Sequence, residues 1–536
     1  MDSRQRLRLI ISIIALGTLA FAWQAAKLGV KFANNIRSSQ QAQVAAVKVA
    51  NRAPLKKGRV FTNTEIYAFL AAAKQAELIK DPLQRCLTYP DPPGSHWTAV
   101  AVQAYCRYRV QPLMPFAEMQ KLIQSGQAAE LDQRLAATLV AQQTQPGARG
   151  LLDRTFELAF DGSFDQRSTL DAWKRDSPKS AFAYAASGLS YERMAHVARG
   201  SALIANTPAA NQESMSRLLQ QADADLQQAV VFDPKMMPAY AAMILVGGHG
   251  RGDDYTDLAI KRALAADSAN FSIYDAMLWK AQPKWGGSMQ AMARVAADAQ
   301  KAAGANPLLT VLLEKVPAYD RLDDCECHTE ADLSTYTTLF DEVATAQQLL
   351  SAASAAESDQ HLELAVVYFS EALRFAPEQT NERLHRIYAL NNFDESRWAV
   401  DEATALMRAS PKDADPVKAR AYSYTMLNDP AHAEEDKLAV LALDPGDKAT
   451  LSDLQRQYIH AAQWDKAWMI NERLVKFYPD APFGWRMRAK IQMQQPRAGL
   501  QQTIDYFAVH FDTTTLDHRQ LLEMRASLAL QPKARH

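Results

Sequence analysis

One spacing constrains this chain more than any other feature. Helix-ending pairs recur 34 residues apart: Asp233-Pro234 and Asp267-Ser268, then Ala376-Pro377, Ser410-Pro411, Asp444-Pro445 and Tyr478-Pro479. One further step reaches Thr513, just after the helix-like stretch Ile504–His510. Twelve residues before these marks stand Ala222, Ala365, Ala399, Ala433 and Ala467, with Thr256 as the exception. Five residues before them stand Ala229, Ala263, Ala372, Leu406, Val440 and Leu474. A small residue repeated at one place lets two helices cross closely. A fixed period of this length therefore predicts stacked helix pairs, each burying its apolar face against the next, rather than one globular core.

Composition agrees with helix throughout, since Gly (20) and Pro (24) are scarce in 536 residues. Period, small residues and Pro or Asp-Pro turns together resemble the tetratricopeptide repeat, over roughly residues 181–530 and best over 360–512. The first-helix signature is weaker. Tyr240 and Trp485 stand at its early aromatic position and Tyr424 and Tyr458 at its later one, while Ala421 and Ala489 match a small residue that Ile387 and Gln455 do not. The resemblance implies an all-α, tetratricopeptide-like α-solenoid whose first helices line a groove for a protein or peptide partner. Transferring the family's groove positions gives Tyr388 and Asn391; Lys418 and Tyr422; Arg456 and His460; and Phe483, Arg486 and Lys490. Basic side chains interleaved with aromatics suit an acidic peptide or a C-terminal carboxylate. The plain alternative is a set of solvated helix positions. Trp398, Trp464 and Trp468 fall on second helices and read as packing residues.

The central part carries a second resemblance. Ala198-Arg199-Gly200, the run Leu226–Pro234 and Pro283-Lys284-Trp285-Gly286-Gly287-Ser288 resemble a bacterial helical-repeat family of unassigned function, marked by A-R-G and P-x-W-G-G-S, over about residues 175–310. It implies no reaction. Gly286-Gly287 permits a tight left-handed turn, Ser288 can N-cap a helix from Met289, and Trp285 packs where neighbouring helices diverge. A ligand pocket at this motif is the alternative. Gly247–Gly252 is glycine-rich but follows a helix and lacks dinucleotide spacing, so it reads as an inter-helix loop.

Charge is uneven. Formal net charge is −1, yet residues 1–60 hold eleven Lys/Arg against Asp2. The whole carries no electrostatic footprint for nucleic acid. Arg4, Arg6 and Arg8 precede an apolar run from Leu9 to Trp23, read as an N-terminal membrane anchor helix over 1–30, with a cleaved signal peptide ending near Ala20-Phe21-Ala22 as the alternative. A basic stalk (31–60), a helical cap (61–175) with Thr64 as N-cap of its first helix, a central helical-repeat domain (176–320), a cysteine-containing linker (321–345) and tetratricopeptide-like repeats (346–530) follow. The expected place is a bacterial inner membrane, crossed once, with the bulk of the chain periplasmic.

Four cysteines allow three complete pairings. Cys86 with Cys106 is favoured, because the chain must turn between them at Pro90–Gly94; closing that loop would stabilise by roughly 3 kcal/mol. Asp323-Asp324-Cys325-Glu326-Cys327-His328 crowds soft-metal ligand types together, but adjacent ligands cannot converge on one tetrahedral centre and no second pair follows. Cys325, Cys327 and His328 are therefore read as a linker with a disulfide or free thiols, and an envelope metal or redox protein is the alternative function. No phosphate loop, zinc-protease helix or nucleophile elbow is present in the sequence. The expectation is a non-enzymatic scaffold with no cofactor.

Overall fold

The computed structural model describes residues 61–200, 206–319, 340–495 and 497–530. These are helical, with no strand among them, and divide into two compact units between Pro377 and Glu378. The proposed anchor, the stalk and the cluster Cys325, Cys327 and His328 lie outside the described residues.

In unit one, α1 (Asn63–Glu77) starts earlier than the Thr64 reading expects. Thr62 is the N-cap, its hydroxyl accepting from the Glu65 N–H while Glu65 accepts from the Thr62 N–H at 2.7 Å. This is a reciprocal capping box, with the acid three residues after Thr62 rather than after Thr64. The Cys86–Cys106 disulfide joins α2 (Pro82–Thr88) to α3 (Ala99–Arg109). Four helices follow: α4 (Phe116–Gln124), α5 (Ala128–Thr144), α6 (Leu151–Ala159) and α7 (Arg167–Asp176).

The longest pairing is α8 (Ala181–Arg199) with α9 (Ala209–Phe232). Gly188 sets their approach, since a Cβ there would stand 2.6 Å from Leu226 Cγ and 3.1 Å from the Ala222 carbonyl oxygen. Behind them come α10 (Met237–Val246), α11 (Asp253–Ala266), α12 (Phe271–Lys280) and α13 (Met289–Ala302). One apolar core runs from Met119 on α4 to Ala276 on α12.

The hairpin of α14 (Ala346–Ser358) and α15 (Leu362–Phe375) has the repeat's period but belongs to unit one. Arg374 gives the reason. Its guanidinium, 1% exposed, donates from Nε to the Cys86 carbonyl at 2.8 Å and from Nη1 to Asp91 at 2.8 Å and Glu371 at 3.1 Å. Arg85 Nη2 donates to the Arg374 carbonyl at 3.2 Å, and Arg109 Nε to the Phe375 carbonyl at 2.7 Å. The disulfide-linked helices thus satisfy the polar groups at the end of this hairpin.

Unit two repeats one motif. Its pairs are α16 (Thr380–Leu390) with α17 (Ser396–Ala409), α18 (Asp415–Met426) with α19 (Pro430–Leu443), α20 (Lys448–His460) with α21 (Trp464–Phe477), and α22 (Pro482–Gln494) with α23 (Leu500–His510); α24 (Thr515–Leu530) ends the described chain. These are tetratricopeptide-like hairpins. Asp394, Asn428 and Ala462, 34 residues apart, each take a left-handed conformation after the first helix, as Gln360 does in unit one. The next N–H bonds the carbonyl five residues back: Glu395 to Leu390, Asp429 to Tyr424 and Gln463 to Tyr458. At the end of the second helices, the Ser410, Asp444 and Tyr478 N–H groups bond the Leu406, Val440 and Leu474 carbonyls. Ala399, Ala433 and Ala467 are buried where the helices cross. Ion pairs repeat too, with Arg386 to Glu402 and Arg420 to Asp436 in the same register.

Burial pushes the Glu371 carboxyl from its ordinary 4.5 up to about 8, against the pull of Arg374 and with the help of Asp91. A raised acid stabilises the fold fully below pH 4.5 and loses that contribution as pH rises toward 8. Denaturation of the full-length chain between pH 5 and 8 is expected to show stability falling with pH, and Glu371→Gln to flatten that fall; equal slopes in both proteins contradict it.

Candidate functional site

The first helices of unit two, α16, α18, α20 and α22, carry the groove positions transferred from the repeat family, except Asn391, which is the C-cap of α16. Tyr388 and Tyr422, one period apart, are 37% and 40% exposed, with ring centroids 5.5 Å apart. Two neighbouring aromatic rings are therefore left open to a partner. Lys418 is committed internally, with its Nζ 2.7 Å from Asp447 and 3.2 Å from Asp415. Burial works against its charge, but the two carboxylates outweigh that and raise its pKa.

Asn391 is inside. Only 4% exposed, it donates from Nδ2 to the Ile387 carbonyl at 2.7 Å and to Ser423 Oγ at 3.0 Å, so it joins α16 to α18 rather than facing solvent. His460 and Lys490 are exposed. Trp398 is buried on α17 under the Arg386 guanidinium, and Trp464 and Trp468 on α21 pack against the core of their own hairpin, as packing residues do.

Arg456, Phe483 and Arg486 come together. They line a recess of about 320 Å³ between α20 and α22 along with Lys448, Ser452 and Tyr478. Pro482 at the first turn starts α22, which puts Phe483 and Arg486 three residues apart on one face. Arg486 donates from Nη1 to Gln520 at 2.8 Å, while its buried Nε has no acceptor among the described residues. The Arg456 side chain is 62% exposed and lies 3.6 Å from Asp453. Lys448 Nζ sits 5.1 Å from the centroid of the Tyr478 ring. No carboxylate lines the recess. Three cations beside two aromatic rings can hold a carboxylate by charge-assisted hydrogen bonds. The groove positions miss Lys448, because it follows the N-cap Asp447 directly and precedes them.

In unit one the three central motifs converge. The Arg199 guanidinium lies 5.8 Å from the Trp285 ring centroid, and the His249 ring, from the glycine-rich loop, lies 5.3 Å from it. Ser288 caps α13 by accepting from the Ala291 N–H at 3.1 Å, and Gly286 takes φ 84°. A Cβ on Gly287 would stand 2.1 Å from the Ala281 carbonyl oxygen. Sequence reading placed these motifs but missed Glu192, Trp279 and the buried imidazole that join them.

Among the described residues no helix is long and apolar enough to cross a membrane, and no group of three or more His, Cys, Asp or Glu is placed to hold a metal ion. No family model and no curated protein matches the chain. Among solved structures it is similar to yeast Tom70, with 12% identity and a TM-score of 0.28, covering 77% of this chain and 94% of that one. It is also similar to the P58(IPK) TPR domain, with 12% identity and a TM-score of 0.21, covering 76% and 98%. At that level of superposition the fold rests on the hairpin geometry itself.

Asp447 has two tasks: it N-caps α20, accepting from the Thr450 N–H at 2.8 Å, and it pairs with Lys418. Asp447→Ala is expected to cost about 1–2 kcal/mol, and Asp447→Asn less because the cap survives. Denaturation midpoints of the two variants test this, and equal losses contradict it.

Proposed function

We propose that this chain is a non-enzymatic scaffold that binds a protein partner on the first-helix face of unit two, taking an acidic side chain or a C-terminal carboxylate in the recess between α20 and α22. The observation that carries the reading is the grouping of Lys448, Arg456 and Arg486 around Phe483 and Tyr478 with no carboxylate in the wall. Among the described residues Lys448 and Arg486 have no internal acid, and the exposed Arg456 has only the long contact with Asp453, so the three are available to an external acid; the open Tyr388–Tyr422 pair supplies apolar contact area on the same run of first helices. Helix hairpins of this kind also present flat arrays of side chains rather than a closed catalytic constellation.

The setting is proposed to be the bacterial cell envelope, with one N-terminal helix in the inner membrane and the folded units in the periplasm. Two observations support it. The first sixty residues combine a basic start with an apolar run. Unit one carries the Cys86–Cys106 disulfide, a bond that persists in oxidising compartments.

In-cell crosslinking and pull-down of tagged full-length protein, run beside an Arg456→Glu/Arg486→Glu/Lys490→Glu variant shown by circular dichroism to stay helical, tests the reading. An envelope protein recovered with the wild type and lost with the folded variant is the expected outcome, and added salt should weaken its capture. Recovery of the same partners by both proteins overturns the assignment.

A further inference from the structure

A cavity of about 590 Å³ opens in unit one between α6, α8, α10 and α12, independently of the face assigned above. Its wall is mostly apolar, with Phe156, Leu189, Leu245, Phe271 and Trp279 among the lining residues. That volume suits a small organic ligand. Charge on the wall is one-sided, because Asp153, Glu157, Asp161, Glu192 and Asp275 line the cavity against Arg193.

Most of these groups are already engaged. Asp153 accepts from Gln142 at 2.9 Å and from Asn270 at 2.8 Å, Asp161 accepts from the Ser163 N–H at 2.8 Å, and Asp275 pairs with Lys315. Arg193 Nη1 donates to the Glu157 and Phe160 carbonyls, at 2.6 Å each. Glu157 and Glu192 are what remains. Glu157 is accessible from the recess yet crowded by protein, and that crowding pushes its carboxyl up, with Asp275 adding to the effect. Glu192 is 3% exposed, and the His249 ring is its neighbour, with Nδ1 3.3 Å from Oε1.

The second observation is His249. Its side chain is 4% exposed, and neither ring nitrogen makes a hydrogen bond, although Nδ1 lies 3.3 Å from Glu192 Oε1. The ring is fixed by Trp279 at 4.9 Å, by Trp285 at 5.3 Å and by His196 at 5.5 Å between centroids. Glycine is required beside it, since a Cβ on Gly248 would stand 2.7 Å from Trp279 Cζ3. The A-R-G and P-x-W-G-G-S segments therefore stand behind the wall rather than in it, with Trp285 packed 4.8 Å from the lining Trp279 and Arg199 5.8 Å from the Trp285 ring.

We propose that this cavity binds a small organic cation, an ammonium group on an apolar or aromatic body, with the charge at Glu192 and Glu157 and the body against Trp279 and Phe271. An anion would add to the one-sided charge. A neutral ligand offers the two carboxylates no new partner, whereas a cation adds to the His249 ring beside Glu192 and the arginines near Glu157, and gains from the aromatic faces. A metal ion is a poorer fit, because no three ligand side chains converge among the described residues.

Calorimetric titration of the full-length chain in nanodiscs of zwitterionic lipid tests the proposal with three probes of one shape: phenethylammonium, 2-phenylethanol and 3-phenylpropanoate. Phenethylammonium is expected to bind about tenfold more tightly than the alcohol, and the carboxylate most weakly. Glu192→Gln should close that gap, with Glu157→Gln, at an accessible position, as the second variant if the first does not fold. Trp279→Leu should weaken amine and alcohol alike. Binding of the carboxylate as tight as that of the amine, an unchanged gap in the folded glutamine variant, or no binding of phenethylammonium overturns the proposal. So does binding restricted to a lysine peptide such as acetyl-Leu-Lys-Leu-amide, which would make the occupant a protein segment.

Discussion

The regular hairpins of unit two depend on one backbone event, the left-handed residue that follows the first helices α16, α18 and α20. A helix cannot run through such a residue, and the N–H that follows it closes back on the helix it leaves, as Asp429 does on Tyr424 and Gln463 on Tyr458. The second helix then starts at a fixed place, which puts Ala433 and Ala467 where close crossing needs them. A left-handed conformation costs a non-glycine residue about 1–2 kcal/mol, least where Asn or Asp can bond locally and most at Ala462. That it recurs in Asp394, Asn428 and Ala462 means the satisfied carbonyls and the buried hairpin outweigh the strain.

This event is almost invisible in the sequence, and the reason is chemical. Glycine would have announced the turn, but Asp, Asn and Ala stand there instead. What was legible is its consequence, a small residue and a helix end at a constant distance. The residues five before each mark prove to be the carbonyls that accept from the last N–H of the second helix, so the spacing measured a real hydrogen bond. The hairpin 346–377 was harder to assign. Its period groups it with the later repeats, while Arg374 ties it to Asp91 across 283 residues of chain, and no local pattern reports a contact of that range.

The proposed face was partly legible for a similar reason. Register alone finds which side chains point outward, so Tyr388, Tyr422, Arg456 and Arg486 fall where the repeat family puts contacts. Register does not say which charges are already answered. Lys418 lies between two acids, and Asn391 turns inward to Ser423, both decided by the neighbouring helix. In unit one the motifs were visible as strings but not as a place. Arg199, His249 and Trp285 lie 50 and 36 residues apart in sequence, and only folding brings them together.

The same limit applies to net charge. A total of −1 rules out a molecule-wide field, yet it averages over distances far beyond those at which charges act. Exposed charges are screened within about 8 Å at physiological ionic strength, so a ligand meets only the few groups around its own site. The wall of the recess in unit two holds three cations and no acid, and the wall of the cavity in unit one holds five carboxylates against one arginine. Two proposed sites of opposite sign in one nearly neutral chain would exclude each other's ligands by repulsion as well as by shape. Discrimination of this kind belongs to the local arrangement of ion pairs: on the proposed face a first-helix cation paired internally, like Lys418, is withdrawn from an incoming acid, while one such as Lys448 is left open to it.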